Sequence, residues 1–179
     1  MSNDTQTVPV KKHQVPPALN DRFIMRVLDA QFGTSSSQNP MITLECEILK
    51  PTSVKIGGIL YDELDGIKPT PKFYLTLTDK NKQNVDEAME RLGLEPITDI
   101  ENPNTEQFKG IVFAALLQSQ ERTQMKANPD DPKGKKVPVL DGRGQPVKLG
   151  WQMNYQLGNI IGRAEDEVTE ELASRPAGL

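Results

Sequence analysis

The sequence predicts an all-β fold with one inserted helix, namely a five-stranded Greek-key barrel whose helix lies between the third and fourth strands. Three observations predict it. Several segments alternate apolar and polar residues with a period of two, which is typical of strands with one buried face. One segment between them changes to the period of an amphipathic helix. A long segment rich in proline and glycine then separates the last two predicted strands.

Length and composition favour one folded domain with polar ends. The chain has 179 residues, of which 36% are hydrophobic, and a chain of this length favours a single domain. No stretch approaches the roughly 20 apolar residues of a membrane span. Residues 1–14 are polar and do not resemble a secretory signal. We therefore expect a cytoplasmic protein that does not enter a membrane.

The chain divides into three parts by composition. Residues 1–20 have no sustained period, and we interpret them as a flexible N-terminal arm. Residues 21–163 contain the predicted strands and the helix and form the domain. Within it, residues 126–146 hold four prolines and three glycines and are predicted to be a mobile loop. Residues 164–179 form an acidic C-terminal tail.

The first half of the domain contains three alternating segments, at residues 22–32, 41–49 and 72–78. The first two are joined by a loop rich in serine and glycine and read as a hairpin. In the first strand, alternation places Ile24 on the outer face. A turn-rich stretch follows the hairpin, and residues 59–64 form a short strand inside it.

The helix is predicted over residues 80–92, where four apolar residues recur at the spacing of one helical face: Val85, Ala88, Met89 and Leu92. Thr78 or Asp79 can cap its start. Gly93 suits the left-handed position that ends many helices.

The second half of the domain contains two more predicted strands. Residues 107–124 include Phe108 and a buried apolar run, and the β-branched and aromatic content favours a strand. Residues 147–161 are expected to form one continuous last strand.

This layout resembles the small single-stranded DNA-binding proteins of bacteriophages, which have an oligonucleotide/oligosaccharide-binding (OB) fold. The resemblance covers about residues 21–163. It rests on the first predicted strand and four short motifs: Gln38-Asn39-Pro40-Met41, Phe73–Thr78, Leu92-Gly93-Leu94 and Phe108-Lys109-Gly110. It implies binding of exposed single strands during DNA replication or recombination, in the cytoplasm of a host cell.

Proteins that bind single strands need cations for phosphates and aromatic faces on which bases stack. Lys72 and Tyr74 share the polar face of the third strand and are the first candidates for binding nucleic acid. The alternative is that Tyr74 is an ordinary, partly exposed tyrosine packed against a loop. Trp151 and Tyr155 are the second, although an apolar stripe of period two is more typical of a core.

Further candidate cations lie in the predicted loop and on the first strand. Residues 121–148 carry seven cations against four anions, and these cations are Arg122, Lys126, Lys133, Lys135, Lys136, Arg143 and Lys148. If this basic loop borders the groove, its cations would release counterions from bound DNA. The alternative is that the loop is a solvated hairpin tip with no role in binding. Arg22 and Arg26 either face the nucleic acid or pair with Glu45 and Glu47 across the hairpin.

The acidic tail is predicted to compete with DNA or to recruit replication or recombination proteins, as the resemblance implies. Its acids are Glu165, Asp166, Glu167, Glu170 and Glu171. A solubilising tail, or a short helix that docks on a neighbour, is the alternative. The tail also matters because the net charge of −4 opposes DNA binding unless the charges are separated in space.

Enzyme activity is not expected, and neither is a metal or cofactor. The chain has one cysteine, Cys46, and one histidine, His13, far apart in different settings, so most nucleophilic triads and dyads, and any internal disulfide, are excluded. A zinc site needs more such ligands. Two alternatives to DNA binding remain. One is a non-catalytic protein-interaction module on an OB or small β-sandwich fold that docks on a replication or virion protein. The other is a nuclease that uses acidic clusters. A homo-oligomer is compatible with every alternative.

Overall fold

The computed structural model describes residues 7–168 and is mostly β-structure with one α-helix, which confirms the predicted class. No helix in this range is long and apolar enough to cross a membrane. In chain order the elements are β1 (Val10–Lys12), β2 (Asn20–Thr34), β3 (Pro40–Lys50), β4 (Val54–Ile56), β5 (Ile59–Asp62), β6 (Lys72–Thr76), α1 (Lys82–Arg91), β7 (Val112–Thr123), β8 (Met125–Lys126), β9 (Val137–Pro138), β10 (Lys148–Asn154) and β11 (Ile160–Arg163).

The largest sheet has six strands and is antiparallel throughout. Strands β10, β7, β2, β3 and β6 lie side by side in that order, and β11 also pairs with β7. The long β2 is shared: residues 20–26 pair with β7, and residues 24–34 pair with β3. The β2–β3 register shifts twice, and such bulges bend a strand and increase its twist. β2 therefore connects the two halves of the sheet.

The six-stranded sheet is not closed into a barrel by hydrogen bonds. Within residues 7–168, no ladder joins β6 to β10 or β11, and the strands fall into three separate sheets. Aromatic packing closes this side instead. The Phe73 ring of β6 meets the Phe113 ring and the Tyr155 ring edge-on, with centroids 5.7 Å apart in both pairs. We call this side of the sheet the seam.

The predicted strand at residues 107–124 begins later than expected. Phe108 is buried in a short 3₁₀ turn, Glu106–Phe108, and Gly110 has a φ of +80°, a conformation that side chains disfavour. This turn ends the connection from the helix, and β7 starts only at Val112.

The last strand is divided in two, so the prediction of one continuous strand over residues 147–161 is wrong. β10 ends opposite Gln118 of β7, and β11 begins opposite Ala115. The chain between them, residues 155–159, therefore lies opposite only two residues of β7 and leaves the ladder. It contains the 3₁₀ turn Leu157–Asn159. This excursion places Tyr155 against Phe73.

Both faces of the central strands are buried, which alternation alone did not predict. Phe23 and Met25 of β2 lie in the main apolar core, as expected. Ile24 was expected to face outward, but it is 2% exposed. It packs in a second cluster with Leu49, Val112, Ala114 and Ala164. The backbone N–H of Ala164 donates to the carbonyl of Val112 at 2.9 Å, so the segment after β11 covers this face.

The helix agrees with its prediction except at its start. Val85, Ala88 and Met89 are buried. The backbone N–H of Leu94 donates to the carbonyl of Met89, and Gly93 has a φ of +64°, so the expected glycine stop is confirmed. Neither predicted cap forms, because a 3₁₀ turn, Asp79–Asn81, precedes the helix and no side chain caps it.

Two segments predicted to be irregular contain short ladders. In the predicted N-terminal arm, β1 pairs in parallel with β5, which also pairs with β4, so the three strands form a small sheet. In the predicted mobile loop, β8 pairs with β9, and a bridge joins Leu140 to Pro146. Backbone hydrogen bonds form these ladders in segments that have no apolar period to reveal them.

One ion pair is buried on the outer face of the β2–β3 hairpin. The guanidinium of Arg26 donates to the carboxylate of Glu47, and both side chains are about nine-tenths buried. This pairing favours the structural alternative for Arg26. Removing one partner of a buried ion pair typically costs more than the pair itself contributes, because a charge remains out of water.

Arg26→Met is expected to lower the free energy of unfolding by about 3–5 kcal/mol, since the buried Glu47 carboxylate loses this cation. A matched control is Lys82→Met, which breaks the exposed pair of Lys82 with Asp86 on α1. The control should cost less than about 1 kcal/mol. Urea denaturation measures both, and equal losses would contradict the burial argument.

Candidate nucleic-acid interface

A groove of about 440 Å³ runs along the seam between β6 and β10. Its lining includes three cations and three aromatic residues: Lys68, Lys72, Arg122, Tyr74, Trp151 and Tyr155. Five of these six were predicted from the sequence. We call this groove the seam cleft. It collects residues from four separate stretches of the chain at the side where the sheet is not closed.

The seam cleft carries positive charge without compensating acids. No aspartate or glutamate lines it, and within the described part of the chain its three cations form no ion pair with a carboxylate. Many other cations are paired: Lys12, Arg22, Arg26, Lys82, Arg91, Lys109, Lys148 and Arg163. Cations gathered in a concave surface reinforce one another's potential and attract anions.

The positive surface has a defined limit on the side of β3. Lys72 and Tyr74 also border a shallow depression with Asp29 and Glu45. Glu45 lies directly opposite Lys72 in the ladder between β3 and β6. An anionic ligand on Lys72 is therefore favoured on the side of the seam cleft and disfavoured on the side of these carboxylates.

The three aromatic residues differ in exposure. Tyr74 is 49% exposed, because alternation along β6 directs Phe73 and Leu75 inward and Tyr74 outward, as predicted. Trp151 is half-buried and does not belong to either apolar cluster. Tyr155 packs against the main core, and burial raises the pKa of its phenol, with a further contribution from the nearby Cys46 thiol. Tyr74 and Trp151 are therefore the accessible rings, and Tyr155 belongs to the wall.

A bulge positions Trp151 within β10. The register with β7 shifts between Lys148 and Gly150, and Gly150 has a φ of +96°. A side chain at Gly150 would be strained in this conformation. Bulges commonly redirect the next side chain of a strand, and here the next residue lines the cleft.

Several predicted binding residues lie outside the seam cleft. Arg22 and Arg26 both pair with carboxylates, with Glu167 and Glu47 respectively. Lys148 lies 3.5 Å from Glu121. The remaining predicted cations are exposed within residues 125–146 and do not line the cleft, namely Lys126, Lys133, Lys135, Lys136 and Arg143. Of the basic segment at residues 121–148, only Arg122 reaches the cleft.

The beginning of the acidic tail is docked on the six-stranded sheet. Arg22 donates two hydrogen bonds to the Glu167 carboxylate, at 2.8 and 2.5 Å. Lys50 donates to the backbone carbonyl of Glu167, and Arg163 pairs with Glu165. Asp166 is exposed in the same 3₁₀ turn. Glu170 and Glu171 lie outside the described residues, so their predicted role remains a prediction.

These contacts change the acidity of the docked carboxyl groups. The hydrogen bonds from Arg22 lower the pKa of Glu167. At Glu165 burial is the largest single effect and raises the pKa, but the hydrogen bond and charge of Arg163, together with hydrogen bonds from the backbone, outweigh it, so the pKa of that carboxyl is lowered too. Both groups remain ionised at neutral pH and hold the segment in place.

Lys68 was missed by the sequence analysis. It precedes Pro69 in the turn-rich stretch before β6, where no period indicates which way a side chain points. The only available indication was its closeness in sequence to Lys72 and Tyr74. The backbone turn, rather than alternation, brings it to the cleft.

Cys46 and His13 are closer together than expected, since both border one cavity of about 460 Å³. The Cys46 side chain is fully buried, and burial raises the pKa of its thiol far above the usual range. His13 lies 2.6 Å from the Glu63 carboxylate. A protonated, inaccessible thiol is a poor nucleophile. Within residues 7–168, no group of three or more His, Cys, Asp or Glu is placed to hold a metal ion.

No protein-family model, curated protein or solved structure matches this chain. A function for this chain is therefore inferred from the geometry of the seam cleft and from the strand order.

Arg22→Gln is expected to raise the pKa of Glu167 toward the ordinary glutamate value of about 4.3. In the unsubstituted protein the pKa of Glu167 is lower in the folded state than in the unfolded state. The contact with Arg22 therefore stabilises the fold above the unfolded pKa, and this stabilisation is lost as the pH falls through the folded pKa. Carbon-detected NMR titration of the Glu167 carboxyl measures the change. Arg91→Gln, which breaks the separate pair with Glu87, is the control. An identical Glu167 titration in all three proteins would contradict the docking.

Proposed function

We propose that the protein binds single-stranded DNA in the seam cleft, with little dependence on base sequence and without catalysis. The observation that carries this proposal is the lining of the cleft, which combines three cations and three aromatic residues with no carboxylate. By resemblance, the setting is bacteriophage DNA replication or recombination.

The chemistry of the cleft matches the two parts of a single strand. Lys68, Lys72 and Arg122 supply positive charge for phosphates, and releasing condensed counterions from DNA favours binding. Tyr74 and Trp151 supply ring surface for unpaired bases, and stacking contributes about 1–3 kcal/mol per base. Every base has a face to stack, so this recognition tolerates any sequence.

The order of the main strands supports an OB fold that is open at the seam. Counted along the chain, β2, β3, β6, β7 and β10 are the first to fifth main strands, and in the sheet they lie in the order fifth, fourth, first, second, third. The helix lies between the third and fourth. An OB fold is a partly open Greek-key barrel that binds oligonucleotides on its second and third strands and adjacent loops. Tyr74 and Lys72 lie on the third.

The net charge of −4 does not prevent this binding, because charge is unevenly distributed. Acids such as Glu47 and Glu167 are engaged by arginines away from the cleft. At physiological ionic strength, exposed charges more than about 8 Å apart are largely screened. A strand in the cleft therefore responds mainly to the local cations.

Trp151 is the only tryptophan of the chain and reports on the seam cleft directly. Titration with poly-dT should quench its fluorescence, and a plot of log affinity against log salt should have a slope of about −2 or steeper, since each of the three cleft cations that meets a phosphate contributes about −0.7. An affinity weaker than about 1 mM at low salt, or no salt dependence, would contradict the proposal. Either result would favour the alternative of a protein-interaction module.

Tyr74→Ala is expected to weaken poly-dT binding by about 5- to 150-fold, the equivalent of one lost stacking interaction of about 1–3 kcal/mol. Phe32→Ala is the matched control, since Phe32 is an aromatic residue of β2 that is 41% exposed and does not line the cleft. Its substitution should leave affinity unchanged. The same fluorescence titration measures both, and an equal effect would show that Tyr74 has no special role.

The acidic tail is proposed to compete with DNA for the cleft. Residues 163–179 carry five acids and two arginines, and an anionic segment can occupy cations that a phosphate would otherwise neutralise. Glu165 and Glu167 are docked, so the competing acids are Glu170 and Glu171.

Replacing both Glu170 and Glu171 by glutamine should tighten poly-dT binding at low salt, with the gain shrinking as salt screens the tail. Replacing Glu101 and Glu106, two exposed acids that do not line the cleft, by glutamine is the control for net charge. Equal gains in both variants would indicate a general charge effect, and no gain would contradict competition.

A further inference from the structure

A second groove of about 420 Å³ adjoins the seam cleft. Val15 and Trp151 line both grooves, so the two grooves adjoin at these side chains. The second groove is also lined by Lys11, Tyr61 and Gln14, and, like the first, by no carboxylate. We call it the arm cleft, because β1 and the residues after it form one of its walls.

Backbone hydrogen bonds hold Lys11 in this wall. β1 pairs in parallel with β5, and Lys11 lies opposite Tyr61. The N–H of Leu60 donates to the carbonyl of Pro9 at 2.9 Å, and the N–H of His13 donates to the carbonyl of Asp62 at 3.0 Å. The segment is thus fixed on both sides of Lys11.

The two neighbouring lysines of β1 have different roles. Lys12 lies 3.3 Å from Glu63, which also binds His13 at 2.6 Å. Lys11 points to the opposite side of the strand, and within the described residues it forms no ion pair. Its ammonium lies 5.9 Å from the centre of the Tyr61 ring and is exposed. An ammonium above a ring is held in place by the ring and still has donors for an anion.

We propose that the arm cleft is a second subsite for the same single strand, in which Lys11 binds a phosphate beyond Trp151. This inference rests on the proposed function and extends it, because the subsite is built by a strand outside the six-stranded sheet. The bound strand runs from Tyr74 past Trp151 to Lys11. Short oligonucleotides fill the seam cleft alone, and longer ones reach both grooves.

The test compares Lys11→Gln with the unsubstituted protein on oligo-dT of about 4 and about 16 nucleotides, the limits of site size for one such fold. Lys55→Gln is the matched control, since Lys55 is an exposed lysine of the same small sheet that lines neither groove. On the long oligonucleotide, Lys11→Gln should lose affinity several-fold, and its salt slope should be less steep by about 0.7. On the short one it should match the control. Lys11→Arg should restore long-oligonucleotide binding.

Three results would overturn the inference. If Lys11→Gln and Lys55→Gln behave alike at both lengths, the arm cleft does not bind DNA, although the proposed function stands. If Lys11→Gln loses the same factor in affinity for the short and the long oligonucleotide, Lys11 belongs to the seam cleft and no second subsite exists. If the unsubstituted protein binds neither oligonucleotide, the proposed function fails as well. Unchanged thermal midpoints of the variants establish that folding is not the cause.

Discussion

Three aromatic rings hold together the one side of the main sheet that hydrogen bonds leave open. Phe73 packs edge-on against Phe113 and Tyr155, and such pairs contribute about 0.5–1.5 kcal/mol each beyond the burial of their area. A ladder at this position would have brought β6 and β10 to the spacing of paired strands, about 4.8 Å, with no groove between them. Ring packing instead joins β6 to β7 and to the segment that follows β10. β6 and β10 are left without a ladder between them, and residues of both strands line the seam cleft.

The distribution of charge then gives this groove its chemistry. The chain is acidic overall, with a net charge of −4, but nine of the acids in its described part form ion pairs, and none of the nine lines the cleft. The clearest case is the outer face of the sheet, where Arg26 holds Glu47 and Arg22 holds Glu167. These pairs are structural and remove two arginines from the candidate binding surface. They also leave the cleft lysines as the cations that an incoming phosphate meets.

Local patterns predicted the local structure well and the assembly poorly. Period-two alternation was sufficient to place Lys72 and Tyr74 on an outer face, and the helical period located α1. The sequence could not show that the segment after β11 covers Ile24, because that burial depends on a contact between distant parts of the chain. It could not show that residues 155–159 leave the ladder, since their apolar pattern continues without a break. Lys11 was hidden in a segment whose only structure is backbone pairing.

We propose that a single strand of DNA occupies the groove beside the ring-packed seam. The decisive measurement is a structure of the complex with oligo-dT. Phosphates are expected within hydrogen-bond distance of Lys72 and Arg122, with a thymine stacked on Tyr74 or Trp151. An oligonucleotide bound instead along residues 125–146, with the seam cleft empty, would contradict this placement.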